Sequence, residues 1–522
     1  MKKFITFALI AAMMLTMIVV GTSAAAWDGT TASASLKGEG TEASPYLVES
    51  AADLAFLAQS VNAGTSYEGK YITQTADIDL GNKEWTPIGT GSANPFSGVY
   101  DGKNFKIEGF KITAGTNGVI GFFGYVESKG VDAGIANVNL SGAITLDNPT
   151  SDAGVGGLVA QVQKSGVSYA NRFYVINCVS DVDVTITNCV KQPRVGGFAG
   201  YGFYAIFENC VNNGDVTITT TATTRVAGFV GQTNSSKYVG CVNNGNVTST
   251  INGNQTARAC GITAVITVGP AADALYTEFV SCVNNGDVVN TTGNGTTYTA
   301  GIAGDVYPAS ASSVRIKITN CVNTGDMKSN ISTSASGSYY PHTGGIGAYF
   351  GNNNKDIYIT GCVNTGSTTY VAFEGAQDRS SGLMGSIYCP DVTTEFTLQN
   401  CITTNNFHSS TWNIGYNADK TGAYRDSQFA TCVENADPAV AAAAIKTITD
   451  ANVPSVTKIA GFSTGYVAPP APETTTPAPE TTTPAPETTA PSNPSTGDVT
   501  SVIVLALVAA CAGAVLTIKK TK

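Results

Sequence analysis

The stretch Ile318–Met327, ITNCVNTGDM, recurs along most of the chain. Close copies are Phe207–Val216 (FENCVNNGDV), Val239–Val247 (VGCVNNGNV), Phe279–Val288 (FVSCVNNGDV), Ile359–Thr368 (ITGCVNTGST) and Leu398–Phe407 (LQNCITTNNF). A unit returning every 20–50 residues is the mark of a solenoid, propeller or array. Within the unit, Ile318 and Val322 share a period-2 phase while Cys321 takes the other, so one straight strand cannot bury all three. A bend at Asn320 resolves this, because asparagine tolerates left-handed backbone. A second bend is expected at Asn323-Thr324-Gly325, with Gly325 supplying positive φ. Short strands between bends at fixed places are what each turn of a β-helix requires.

Each unit also carries a four-residue glycine core: GFFG at Gly121, GLVA at Gly157, GFAG at Gly197, GFVG at Gly228, GITA at Gly261, GIAG at Gly301, GIGA at Gly345 and GLMG at Gly382. Successive spacings of 36, 40, 31, 33, 40, 44 and 37 residues imply insertions in loops while the strands keep their length. The expected fold is all-β: a right-handed parallel β-helix of about eight or nine coils, roughly 40 Å long at a rise of ~4.8 Å per coil. Cys210, Cys241, Cys282, Cys321, Cys362 and Cys401 hold the same place in successive units. Stacking at ~4.8 Å exceeds the Cβ separation of a disulfide, so these six are expected to be buried thiols acting as small hydrophobes. Cys178, Cys189, Cys260, Cys389 and Cys432 fall off this register, which leaves an isolated disulfide among them open.

Two short helices flank the array. Ser50–Asn62 places Leu54, Leu57, Ala58 and Val61 on one stripe, with Ser50 as N-cap and Asp53 resembling the third residue of a capping box where Glu or Gln is stronger, and is expected to cover the first coil. Asp437-Pro438 opens a helix to about Ala451, expected as the second cap.

The first 26 residues read as a secretory signal: Lys2-Lys3, an apolar run Phe4–Val20, and Ala24-Ala25-Ala26 before Trp27. PAPETTT repeats from Pro470 make an extended spacer. Val499–Ile518 is long and apolar enough to span a bilayer ahead of Lys519, Lys520 and Lys522. The resulting organisation is a signal (1–26), a lead with capping helix (27–70), the repeats (71–407), a C-terminal cap (408–467), a Pro/Thr-rich linker (468–492) and a tail (493–522) with its transmembrane helix at 499–518. Removing both ends takes away five lysines and one acid, Asp498, leaving 23 bases against 37 acids. An acidic exterior repels phosphate backbones, which excludes nucleic acid as an expected partner.

The N-terminal segments GEGTEASPYLVESAADLAFLAQSVN, GKYITQTADIDL, WTPIG and FSGVYDGKNFKIEGF, together with GGFAG, AGFVG, AGIAG and GLMG, resemble secreted bacterial β-helix proteins built from GLUG repeats. The resemblance runs from about Gly38 to Phe407. It implies a surface-exposed or secreted parallel β-helix in a family described as adhesive or of unknown activity. The tail resembles a sortase cell-wall sorting signal of Gram-positive bacteria, with Asn493, Pro494, Ser495, Thr496 and Gly497 as its motif. That resemblance implies sortase attack at the Thr496 carbonyl, loss of Gly497 and transfer to peptidoglycan. Asn493 stands where the common motif has Leu. A plain membrane anchor is the alternative.

Chemistry in the body is sparse. His342 and His408 fit no H-E-x-x-H or other metal spacing and are expected in exposed loops; no metal or cofactor is expected. Asp77, Asp79 and Asp101 lack the frame of a calcium loop, and Asp215, Asp287 and Asp326 follow each NG or TG bend, so turn roles are expected for all six. The aromatic insertions Tyr339–His342 (YYPH) and Tyr201–Tyr204 (YGFY) suit either ligand contact or packing over a coil. Two functions remain open: a non-catalytic surface protein that binds a glycan or protein ligand, and a polysaccharide lyase or glycoside hydrolase on a β-helix scaffold.

Overall fold

The computed structural model describes residues 25–451 except 33–34, 115–117, 150–151, 153, 164–170, 268–274, 308–314, 333–339, 352–355, 372–378, 388–395 and 406–430, with residues 453 and 455 in addition. The chain winds into a right-handed parallel β-helix, as its sequence predicts. Among the described residues the strands form four sheets of eleven, fifteen, eight and eight strands, here called sheets I, II, III and IV. Every pairing between successive coils is parallel, for example Ile316–Thr319 on Ile357–Thr360 in sheet I.

One coil shows how the sequence produces the turn. Ile316–Thr319 lies in sheet I, and Asn320 then bends the chain with φ 53°. The equivalent residues Asn137, Asn177, Asn209, Gly240, Ser281, Gly361 and Asn400 are also left-handed, so each coil turns where a residue able to take that conformation stands. The bend directs Ile318 and Cys321 into the core. Val322 points the other way, contrary to the expectation that all three share one interior. Val322–Asn323 and Met327–Ile331 belong to sheet II, Pro341–Gly344 to sheet III and Gly347–Phe350 to sheet IV. Among the described residues eight coils carry all four sheets, in step with the eight glycine cores. The first sheet reaches eleven strands because Tyr46–Val48 and Tyr71–Gln74 precede these coils and Phe396–Gln399 follows them.

The turn VNNGD works through three parallel side-chain ladders. Asn212, Asn243, Asn284, Asn323 and Asn364 are all fully buried. The Nδ2 of the first four donates to the Oδ1 one coil on, at 2.9, 2.8, 2.8 and 2.7 Å, Asn364 ends the ladder on Thr403 Oγ1, and all five donate to the carbonyl two residues ahead in their own turn. Outside them, Asn244 donates to Asn213 and Asn285 to Asn244, both at 2.8 Å. The carboxylates of Asp215, Asp287 and Asp326 each accept a backbone N–H of the next coil, from Asn246, Asp326 and Ser367 at 2.7–2.8 Å. This satisfies groups at a turn that sheet pairing leaves open. The expected turn role of these three acids holds. Gly325 does not use positive φ, in contrast to the sequence expectation. Its Cβ would stand 2.1 Å from the Gly286 carbonyl, so the position requires glycine for close approach of coils.

The cysteines stack as expected, and the column is longer than the six repeats suggested. The register that puts Val179 beside Val211 and Ile402 beside Val433 adds Cys178 at one end and Cys432 at the other. The interior rungs are fully buried, and none of the described cysteines forms a disulfide. Cys189 and Cys260 are buried elsewhere, while Cys389 lies outside the described residues. Aromatic side chains continue the same stacking logic: Phe198 on Phe229 (4.6 Å between centroids) and Tyr238 on Phe279 (4.8 Å).

Helix α1 (Ala51–Asn62) has Ser50 as N-cap, with Ser50 Oγ accepting from the Asp53 amide. Its buried Leu54, Leu57 and Val61 join the main core at the N-terminal end. Helix α2 (Pro438–Thr449) begins at Asp437, whose carboxylate accepts from the Ala439 amide at 2.7 Å. Ala441, Ala444 and Ile448 pack on Val322, Val363 and Ile402, so this helix closes the last coils from the side of sheet II.

Candidate functional site: a basic groove between sheets III and IV

The site begins with the glycine core. In the five successive units from Gly197 to Gly345 the residue before the core glycine and the residue three after it are small: Gly196 and Gly200, Ala227 and Gly231, Cys260 and Ala264, Ala300 and Gly304, Gly344 and Ala348. They close the junction of sheets III and IV so tightly that a Cβ on Gly304 would stand 2.3 Å from the Ala264 carbonyl. Ala227, Cys260, Ala264, Ala300 and Ala348 form an apolar cluster of their own, apart from the interior core. The core glycine itself faces inward. A Cβ on Gly301 would lie 2.3 Å from Asn323 Oδ1, and Gly228 and Gly261 stand in the same relation to Asn243 and Asn284. The two halves of the repeat are therefore one structural unit.

With small residues at the floor, the next outward positions rise as facing walls. On sheet III the register aligns Arg194 with Arg225, Ala259 with Val226, and so Arg258 with Arg225; Arg258, Tyr298, His342 and Arg379 continue the column. On sheet IV the facing column runs Tyr125, Gln161, Tyr201, Gln232, Val265, Asp305, Tyr349 and Ser386. Contacts across the junction show that the walls converge. Arg258 Nε donates to Asp305 Oδ2 at 2.6 Å, Arg194 Nε to Gln232 Oε1 at 3.3 Å, and His342 Nδ1 is 2.9 Å from Ser386 Oγ. Tyr298 stacks on His342 at 4.9 Å, and Tyr349 meets His342 edge-on at 5.0 Å. Guanidiniums cover the rings of Tyr201, Tyr298 and Tyr340.

The electrostatics follow from this crowding. Arg225 is half-buried, and burial together with the charges of Arg194 and Arg258 lowers its pKa to about 10. Burial also lowers Arg379, and it holds His342 well below the usual histidine range, with Arg379 adding to the effect. Burial raises the hydroxyls of Tyr201 and Tyr298. His342 is thus a neutral, 2% exposed residue of a strand, in contrast to the exposed loop position expected from sequence. Its environment is built by the flanking coils, which a single sequence window does not display. His408 lies outside the described residues.

The other sequence candidates separate. Asp77, Asp79 and Asp101 accept backbone amides of Lys106, Gly81 and Lys103 at 2.8–2.9 Å, as turn residues do. Among the described residues no group of three His, Cys, Asp or Glu side chains is arranged to hold a metal. Of the YGFY insertion, Tyr201 lines the groove while Tyr204 is buried. Asn493, Pro494, Ser495, Thr496, Gly497 and the apolar stretch 499–518 lie outside the described residues; among those described, no helix is long and apolar enough to cross a membrane. The arginine column escaped the sequence reading, although a signal for it exists. The chain has seven arginines, and four of them (Arg194, Arg225, Arg258 and Arg379) stand three residues before a core glycine.

No family model matches the chain. It is 36% identical over 106 residues to a protein of Evansella cellulosilytica described as "Putative Gly-rich membrane protein". That match covers 20% of this chain and 12% of the relative, so the chain spans about an eighth of the relative's length in the matched region. Among solved structures, it is similar to a "putative immunoglobulin A1 protease" from Bacteroides ovatus, with TM-score 0.43 and 17% identity over 59% of this chain and 86% of the other.

Proposed function

We propose that this chain is a non-catalytic surface protein whose β-helix binds an extended extracellular ligand, a glycan or a protein segment, along the groove between sheets III and IV. The observation that carries this reading is the lining of this junction: a buried floor of Gly, Ala and Cys beneath facing rows of Arg, Tyr, His and Gln that meet at Arg194–Gln232, Arg258–Asp305 and His342–Ser386. Long side chains already aligned by a rigid β-scaffold lose little freedom on binding, which favours recognition. Asp305, the carboxylate buried in the groove, is engaged by Arg258, which favours binding over acid–base hydrolysis. In this reading the GLUG-like rod is carried outward by the 468–492 spacer and joined to peptidoglycan by a sortase acting at Thr496 in the Asn493–Gly497 signal. The test is binding of the purified protein to arrayed glycans and extracellular-matrix proteins, compared with Gln232→Ala and Tyr349→Ala variants. Loss of a wild-type signal in both variants supports the groove; signals untouched by both place binding elsewhere.

A second reading, a polysaccharide lyase, is favoured by one observation. The neutral imidazole of His342 lies in the groove beside Tyr298, Tyr349 and Arg379, groups able to accept a proton and to neutralise a uronate. Ultraviolet detection of an unsaturated uronate product, lost in His342→Gln, would establish it.

A further inference from the structure

Resting on that reading of the groove, we propose that its ligand is an acidic polysaccharide, whose carboxylates or sulfates are held by Arg194 and Arg225 as successive steps of an anion ladder that Arg258, paired with Asp305, closes. These three side chains occupy the same wall position in successive coils, about 4.8 Å apart in rise. Stacked like charges are costly in a half-buried setting unless counter-charge is supplied. Asp305 supplies it to Arg258 by direct contact, while Asp152, which accepts the Gln192 amide, acts on Arg225 through its charge without contacting it. Arg194 donates to the Gln232 side chain at 3.3 Å and to the Gln192 carbonyl at 2.9 Å, and Arg225 to the Gln192 side chain at 3.4 Å. All of these partners are neutral. Among the described residues no carboxylate contacts Arg194 or Arg225. The middle position, Arg225, has its guanidinium acidified by burial and by both neighbours, with the charge of Asp152 offsetting this only in part.

The chain as a whole is acidic, with net charge −10, so two guanidiniums on one wall of the groove with no carboxylate in contact are a local exception to its overall charge. A guanidinium presents a planar fork that matches carboxylate and sulfate bidentately. A regular ladder of such forks selects a ligand whose anions also repeat, as they do along a uronate-bearing or sulfated glycan. Gln161, Gln232 and the tyrosine hydroxyls of the opposite wall offer donors and acceptors for sugar hydroxyls. Nucleic acid, the other repeating polyanion, is disfavoured because Tyr298 has Arg258 over its ring and His342 stacked on it, which occupies the faces that bases would use.

The test uses the full chain immobilised at fixed ionic strength, with polygalacturonate, neutral dextran and oligo-dT as probes. Polygalacturonate should bind with an affinity that falls steeply with salt, and Arg225→Gln should weaken it about 10- to 100-fold, the worth of one charged hydrogen-bonding contact. Arg225→Gln should leave the melting temperature equal or higher, because it relieves repulsion within the column. Arg194→Gln, which leaves the half-buried middle position intact, should weaken polygalacturonate in the same direction and serves as the second variant. Equal polygalacturonate affinity in both variants overturns the ladder. Binding of dextran without polygalacturonate overturns it while leaving the groove as a glycan site. Preference for oligo-dT overturns it in favour of nucleic acid. Failure of the wild-type protein to bind any probe or any array ligand overturns the groove reading along with it.

Discussion

The amide of Asn284 donates to the side-chain oxygen of Asn323, one coil on, at 2.8 Å, and both residues are fully buried. This contact repeats through the rod and makes the coils interdependent, because each asparagine serves its own turn and its neighbour's. Replacing Asn323 by Ala removes an acceptor from Asn284, a donor from Asn364 and a donor from the Gly325 carbonyl. The loss should be about 2–4 kcal/mol, since buried groups left unpaired cost about 1–3 kcal/mol each and the coils can relax in part. Asn285→Ala, in the exposed ladder, should cost under about 1 kcal/mol. Denaturant unfolding of the two variants checks this; equal losses would mean that the buried ladder carries no special weight.

The same asparagine explains a glycine. Gly301→Ala should destabilise strongly, because the new Cβ would stand 2.3 Å from Asn323 Oδ1 and 2.4 Å from the Gly345 carbonyl. Combining Gly301→Ala with Asn323→Ala removes the first clash and retains the second. The double variant should therefore be more stable than the sum of the single losses, with a coupling of about 1–2 kcal/mol in a double-mutant cycle. Strict additivity would show that the two halves of the repeat act independently.

The neutral state of His342 predicts a pH dependence of stability. Its folded pKa is depressed by burial, so the unfolded chain takes up the proton first as pH falls. Stability is complete above the unfolded value of about 6.5 and declines as pH drops below it toward the folded value. Thermal melts at about pH 7.5 and about pH 5.5 should show a decrease that is smaller in His342→Gln, which retains a polar partner for Ser386. An identical decrease in the variant would assign the effect to other groups.

The cysteine column predicts chemical silence. Burial raises the thiols of Cys210, Cys241 and Cys321 well above their ordinary range and keeps them protonated. An alkylating reagent at neutral pH should leave the rungs from Cys178 to Cys401 unmodified in the native protein. Cys432, half-buried at the end of the column, should react first among the described cysteines. Rapid modification of Cys282 without denaturant would contradict the stacked arrangement.

The proposed wall linkage predicts a change in fractionation. Thr496→Ala should move the protein from the peptidoglycan-bound fraction to the membrane or medium. Unchanged covalent attachment would refute sortase processing at this threonine.

The recurrence of ITNCVNTGDM and its glycine core was enough to determine the architecture. Period-2 phase, the Asn320 bend and the fixed strand lengths allow only stacked coils, and Ser50 and Asp437 declare their helices through cap chemistry alone. Such signals are legible because they act within a few residues. The direction of Val322, the closeness of Gly325 to Gly286 and the burial of His342 are set by residues a coil or more away in sequence, and only the stacking brings these together. The groove is the strongest case. Arg194, Arg225 and Arg258 stand in line because three coils share one register, and the walls meet because the floor between them is too small to hold them apart. Local sequence thus determines how each coil turns. The charge pattern that a ligand would meet is a property of the stack, since it depends on which side chains the rise of ~4.8 Å places side by side.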